Sequence, residues 1–261
     1  MSTQTTSSTN NKCVFITGIS GGLGSILCQK LCEKGGFKVK GLVRDESEKQ
    51  NLTKFGCTDV CVGDLTKLQE QDFVNYLKGC DYVIDAAGAT DPKDIRRVEY
   101  ISGKYLANAA MKSNVKKFIC MSALGCDKVG GEVGGTGSSS STQDWSNKLI
   151  CDCVKNNKEF GINQYKLDQF IMCECQNLPY CVVRCGDLKD EPAWNKILIG
   201  KPTLGDKYKN IECVIPREDL SCLLCDLLCD DSIKNVCFEV VGSKDQGMPI
   251  QEAIKQLKTA I

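Results

Sequence analysis

With 261 residues, 42% of them hydrophobic and 25% charged, the chain can bury a large core, enough for one α/β domain or such a domain with a small appendage. Its 33 basic residues balance 33 acidic ones without forming a basic stripe, which argues against nucleic acid as a partner. Histidine is absent, so imidazole is removed from every mechanism and metal site, and acid–base work falls to Tyr, Lys, Asp, Glu, Cys, water or a bound cofactor.

Residues 1–12 are polar and hold neither an apolar run nor an arginine, so a loose tail is expected there rather than a secretion signal. No run of about 18 apolar residues follows, hence no membrane span is expected and the cytosol is the default compartment. The 19 cysteines are an odd count, and no secretory signal is expected before them. Most read as small core residues: Cys28 and Cys32 on the first helix, Cys120 in a buried strand, and Cys222, Cys225 and Cys229 along an apolar helix face. Cys222-x-x-Cys225 has zinc-like spacing but lacks a second pair, while Cys151-Asp-Cys153 and Cys173-Glu-Cys175 would diverge on a helix; no metal site is expected.

The first element carries the chemistry. Val14–Ile16 is a short apolar run, as in a strand buried on both faces, and Gly18, Gly21 and Gly24 follow at every third position. Leu23, Ile26, Leu27 and Leu31 then fall on one helical face. A strand entering a helix through a Gly-rich turn leaves the first helical N–H groups and the positive dipole end facing the turn, where a pyrophosphate fits. Phe37–Val43 is a second strand ending in Arg44, where such a fold meets the adenosine ribose. An arginine there pairs with a 2′-phosphate, so NADP(H) is expected over NAD(H), unless the adjacent Asp45 turns in to take the ribose.

Asp45–Phe55 is a charged helix, Val60–Val62 a third strand ending at Gly63-Asp64, and Thr66–Leu77 another helix. Tyr82–Ala86 is strand four, opening into Ala87-Gly88-Ala89, whose small side chains allow a dinucleotide to lie close. Ile101–Met111 is a helix and Lys117–Met121 strand five. This alternation specifies a doubly wound parallel sheet, expected in the order 3-2-1-4-5-6, with the cofactor across the carboxyl ends at the switch point. A Gly/Ser-rich insertion at 129–142 cannot pack a core and is expected as a lid or a plain surface loop, with Trp145 as its anchor or a cap on the pocket. Glu218 and Asp219 open a late helix at the favourable end of its dipole, Phe238–Val241 is a late strand, and Pro249–Ile261 a terminal amphipathic helix.

The motifs resemble those of the atypical, NmrA-like branch of the short-chain dehydrogenase/reductase superfamily. Thr-Gly-Ile-Ser-Gly-Gly-Leu-Gly (17–24), Gly-Leu-Val-Arg (41–44), Gly-Asp-Leu (63–65), Val-Ile-Asp-Ala-Ala-Gly (83–88), Met-Ser-Ala-Leu-Gly (121–125), residues 178–188 and Ile-Pro-Arg-Glu-Asp-Leu (215–220) follow that family's order over roughly residues 12–260. The look is nearest to small plant-type NADP-binding members and, more distantly, to flavin/biliverdin reductases. The resemblance implies a Rossmann fold over residues 13–261, with a small C-terminal substrate-side subregion from about residue 186. It implies cofactor contacts from Gly18, Ser20, Gly21, Gly22, Leu23, Gly24, Arg44, Asp64, Leu65, Ala86, Ala87, Gly88 and Gly186, with Leu188 beside the nicotinamide and Cys185 replacing a family proline. Arg217 faces the pocket in that picture or forms a structural ion pair.

Typical members of the superfamily use Tyr-x-x-x-Lys on one helix, because four residues is about one turn and the lysine then lowers the tyrosine pKa while holding the ribose. That pair is missing. Lys166 matches the family lysine by its distance from Leu178-Pro179-Tyr180, but Ile162 stands four residues earlier and Tyr165 points about 100° away. Lys166, as a ribose or nicotinamide ligand, and Ser122, at the superfamily serine position, are the candidate catalytic residues. The expected activity is an NADPH-dependent reductase passing hydride to a small unsaturated acceptor (flavin, quinone or carbonyl), with a monomer or homodimer as its form. The alternatives are a non-catalytic NADP-binding sensor or assembly partner, and a cysteine-based redox protein.

Overall fold

The structure, a computed structural model, describes residues 12–57, 59–130, 149–202, 204–208 and 210–260. Strands β1 (Lys12–Thr17), β2 (Phe37–Val43), β3 (Asp59–Val62), β4 (Tyr82–Asp85), β5 (Lys117–Ala123) and β6 (Tyr180–Cys185) are followed by β7 (Asp187–Lys189), β8 (Lys196–Gly200), β9 (Val214–Pro216), β10 (Val236–Gly242) and β11 (Met248–Pro249). The α-helices are α1 (Gly22–Lys34), α2 (Lys49–Lys54), α3 (Glu70–Tyr76), α4 (Gly103–Lys112), α5 (Cys126–Gly130), α6 (Asp152–Asn156), α7 (Lys158–Glu174), α8 (Leu204–Lys207), α9 (Arg217–Cys229) and α10 (Ile250–Ala260). The large sheet runs β11-β8-β10-β6-β5-β4-β1-β2-β3, parallel from β3 through β10 and antiparallel at β8 and β11; β7 and β9 pair separately. The expected order 3-2-1-4-5-6 is present, and the connections leave β1 in one direction and β4 in the other, which opens a crevice at their carboxyl ends.

The alternation within β1 explains the two-layer core. Val14 and Ile16 face α1 and α9 and join Leu27, Leu31, Leu220 and Leu224, while Phe15 faces the opposite layer with Phe73, Leu106 and Ala110. All of these side chains are buried. Cys28, Cys120 and Cys225 are buried as small core residues, whereas Cys222 is half-buried and Cys229 exposed.

Several boundaries differ from those expected. The charged stretch after Arg44 divides into a 3-10 turn (Glu46–Glu48) and α2, and α3 begins only at Glu70 because Asp64 first holds a turn through Thr66. Lys12 belongs to β1 rather than to the tail. A π-helical segment, Arg96–Ser102, precedes α4. Of the Gly/Ser-rich insertion, Val129 and Gly130 end α5 and are buried, Gly130 lying so near Tyr165 that a Cβ would meet its ring at 2.4 Å. Residues 131–148, including Trp145, lie outside the described residues.

Three polar contacts close the far side of the sheet. Gln256 on α10 donates to the Ile199 carbonyl of β8 at 3.4 Å. Lys117, 1% exposed, donates Nζ to the carbonyls of Leu227 and Asp230, both at 2.6 Å, and so caps the end of α9 from inside the fold. Lys117→Met keeps the aliphatic stem but takes the charged donor from both carbonyls, which then keep only their backbone donors, the Asp230 N–H on Leu227 and the Ile233 N–H on Asp230; a loss of about 2 kcal/mol is expected, read as a melting temperature lower by ~4–8 °C.

Candidate functional site

The Gly-rich turn is shaped by two kinds of constraint. Gly18 has φ +66°, and a Cβ there would lie 2.7 Å from the Ala86 carbonyl oxygen and Ala87 Cα; one on Gly24 would lie 2.2 Å from the Gly18 oxygen. These two glycines let β1, β4 and α1 close on one another. Gly21 differs: its backbone is extended (φ −74°, ψ 169°), and a Cβ would meet only the Gly18 oxygen, at 3.2 Å. It is the N-cap of α1 and offers no side chain to the first-turn N–H groups; that turn has no acidic residue, so the positive end of the helix faces the crevice uncompensated.

The crevice has two connected parts. One, of about 320 Å³, is lined by Gly18, Ser20, Gly21, Arg44, Asp64, Leu65, Ala86, Ala87 and Gly88 among others. The other, of about 550 Å³, shares Gly18, Gly21 and Ala86–Gly88 and continues past Gly22, Leu23, Gly24, Ser122, Gly186 and Leu188 to Arg217. Every residue expected to touch a dinucleotide therefore lines this crevice except Lys166. Arg217 does both things expected of it: it lines the crevice over Gly22 and pairs with Asp190 at 2.5 Å.

At the end of the crevice where a ribose is expected, Asp45 is committed elsewhere. Its carboxylate accepts the Ser47 N–H at 2.8 Å, and its N–H donates to Glu48 in return at 3.0 Å, a reciprocal cap on the 3-10 turn. The hydrogen bonds from Ser47 hold the Asp45 carboxyl below the usual carboxylate range. Arg44 lines the crevice with an exposed side chain.

At the other end the helix register departs from expectation. Lys166 is exposed on α7 and outside the crevice lining; the residues one turn apart on α7 that do line it are Phe160 and Gln164. Ser122 lines the crevice, but its hydroxyl donates to Asp168 at 3.0 Å, inside a buried cluster in which Arg184 also binds Asp168 at 2.8 Å. Burial raises the Asp168 carboxyl against the opposing pull of Arg184.

Sequence reasoning missed Glu99. It lies in the π-helical segment, is 3% exposed and lines the crevice behind Gly88 and Ala89. Its Oε1 accepts the Ala89 N–H and its Oε2 the Gln164 side-chain amide, both at 2.6 Å, while Gln164 Oε1 is buried without a partner. Burial pushes the Glu99 carboxyl up to about 7, with Asp85 adding repulsion. Asp85 is itself pushed up to about 6 by burial, against a 2.5 Å bond from Thr17. The one available signal was a carboxylate inside the apolar pattern Ile95, Val98, Tyr100, Ile101.

The cysteine pair Cys151/Cys153 corrects another expectation. Cys151 precedes α6 in extended backbone (φ −66°, ψ 153°), so the side chains converge and the sulfurs stand 2.9 Å apart. With Asp187 they form a group of donor atoms within 4.8 Å of one another, two sulfurs and one oxygen of the kind a thiophilic cation takes. The Asp187 oxygens also receive the N–H groups of Asp152 (2.6 Å) and Cys153 (3.1 Å).

A crevice at a topological switch point, floored by small residues and facing an uncapped helix N-terminus, is built for a dinucleotide, and comparison with known proteins agrees. A family described as NAD(P)H-binding matches residues 18–231. The chain belongs to this NAD(P)H-binding family. Cinnamoyl-CoA reductase 1 of Petunia hybrida is 30% identical over 132 residues, 45% of this chain and 37% of that protein, so the chain spans well under half the length of this relative. Among solved structures, a putative NAD-dependent epimerase/dehydratase from Bacillus halodurans superposes with a TM-score of 0.73 at 22% identity, covering 94% of this chain and all of that one. ChuY, an anaerobillin reductase from Escherichia coli O157:H7, gives 0.64 at 16% identity over 91% and 100%. These likenesses establish the Rossmann-type fold. Among the described residues, no helix is long and apolar enough to cross a membrane.

Proposed function

We propose that the protein is an NADPH-dependent reductase of the atypical short-chain dehydrogenase/reductase type, acting in the cytosol on a small unsaturated acceptor such as a flavin, quinone or carbonyl compound. The observation that supports the cofactor preference is the division of labour at the end of β2: Asp45 is spent on the turn that follows, and of the charged residues lining this part of the crevice Glu48 accepts the Asp45 N–H and Asp64 accepts from Thr66, which leaves Arg44 as the cation. The first-turn N–H groups of α1 hold the pyrophosphate, assisted by Arg217, and Leu65 and Asp64 border the adenine. Bound in this way, the reduced nicotinamide supplies hydride. Met121, Phe160 and Leu188 wall the wider part of the crevice and exclude water from the acceptor. The relatives named as reductases support the reaction class.

The rival reading, a non-catalytic NADP-binding sensor, draws support from Phe160 and Gln164 standing where a tyrosine–lysine pair would face the crevice. A titration with NADPH and NADH, followed by NADPH oxidation with flavin mononucleotide, a naphthoquinone and an aromatic aldehyde, separates them. Tight NADPH binding with turnover is the expected result; tight binding without turnover on any acceptor favours the sensor, and no binding of either nucleotide removes both.

A further inference from the structure

We propose that Glu99, anchored by the Ala89 amide and by Gln164, is the acid that delivers the proton accompanying hydride transfer. The proposal rests on the reductase reading. A hydride added to a carbonyl carbon leaves the oxygen in need of a proton, and the tyrosine that would give it is replaced on α7 by Phe160. Three other polar groups of the crevice, Ser122, Cys185 and Asp187, are poorly suited. Ser122 directs its proton to Asp168. Cys185 donates to the Ser122 carbonyl at 3.5 Å, and burial pushes its thiol up. Both oxygens of Asp187 accept backbone N–H groups, which can only donate and so favour the carboxylate, whereas at Glu99 only Oε1 is held in that way and the partner of Oε2 is the Gln164 amide, which can turn.

Glu99 has what these lack. It is buried at the crevice wall, and the groups around it are Asp85 on β4, Cys120 on β5 and Gln164 on α7, none of them a cation that would fix it as an anion. Near neutrality it holds its proton part of the time and can both give it and retake it. Gln164 suits both states. Its NH2 donates to the carboxylate, as found at 2.6 Å, and a rotated amide presents its oxygen to the acid form; a lysine would serve only the first. The free amide oxygen is buried at the same wall. The π-helical segment is a second, independent sign, because π turns sacrifice hydrogen-bond geometry and recur where a helix aims a functional side chain.

The step balances. The carbonyl carbon takes the hydride, the C=O π pair moves to oxygen, and that oxygen takes the Glu99 proton; NADP+ and the Glu99 carboxylate remain, and solvent water reprotonates the carboxylate through the crevice.

The test uses calorimetric titration of NADP+ and NADPH near pH 7 in two buffers of different ionisation enthalpy, with wild type, Glu99→Gln and Glu99→Asp, folding being checked by circular dichroism. The positive ring of NADP+ favours the carboxylate, so wild type should release a fraction of a proton on binding NADP+ and less on binding NADPH. Glu99→Gln should release none while keeping its affinity within ~3-fold, and Glu99→Asp should keep the release. With the aldehyde as acceptor, wild-type turnover should fall as pH rises through about 7. Glu99→Gln should lose that limb and about 100-fold in rate. Gln164→Met, which removes the donor to the carboxylate, should move the limb to higher pH. Nucleotide binding with identical proton release in wild type and Glu99→Gln, or turnover by Glu99→Gln at the wild-type rate with the same limb, overturns the proposal and leaves the reductase reading intact. Failure of wild type to bind either nucleotide overturns both.

Discussion

Gly21→Trp should abolish NADPH binding while leaving the fold in place: a loss of at least ~100-fold in affinity, about 2.7 kcal/mol, with a melting temperature within about 2 °C of wild type. Gly21 has ordinary backbone angles, and its missing Cβ opens toward the crevice with only the Gly18 oxygen near, at 3.2 Å. An indole there occupies the place of the pyrophosphate and shields the first N–H groups of α1. Gly24→Val is the contrasting control. Its Cβ would be driven to 2.2 Å from the Gly18 oxygen, so the helix must leave the sheet and the protein should unfold at a much lower temperature. Retained NADPH affinity in a folded Gly21→Trp protein would refute the cradle.

The second large effect concerns the 2′-phosphate. Arg44→Ala should weaken NADPH by ~10- to 100-fold, the worth of one or two charge-assisted hydrogen bonds, and NADH by less than ~3-fold. Asp45→Ala should act on the 3-10 turn rather than on cofactor choice, because that carboxylate accepts the Ser47 N–H. Equal losses of NADPH and NADH on removing Arg44 would show that another group reads the ribose.

Much of this is legible in the sequence. Buried parallel strands are short apolar runs, so β1, β4 and β5 stand out in the sequence, β2 shows instead by alternation around Lys38 and Lys40, and the glycines at 18, 21 and 24 locate the crevice because no other residue fits two of those places. The catalytic side was less legible, for reasons that lie in the helices. The inward stripe of α7 runs through Gln164, Leu167, Asp168 and Ile171, so polar residues on an otherwise apolar face were the sign of the crevice; distance from the following strand pointed to Lys166 on the outer face instead. Glu99 was hidden because a hydrogen bond spanning one residue more, which distinguishes a π from an α path, leaves no periodic trace over so short a segment. The convergence of Cys151 and Cys153 depended on where a five-residue helix begins, and helix boundaries are set by local capping as much as by pattern.

The end of the sheet beyond β10 bears on how copies of the chain can meet. Its outermost strand, β11, is only Met248–Pro249, and Pro249 has no N–H to offer another strand. Beside it, Gln256 already engages the Ile199 carbonyl of β8. An edge so short and so blunted gives a neighbouring strand almost nothing to pair with, which protects the protein at that end against runaway edge-to-edge growth. Two copies that associate on this side must therefore do so through helix faces, where the contact is set by side-chain shape and can close on itself instead of propagating.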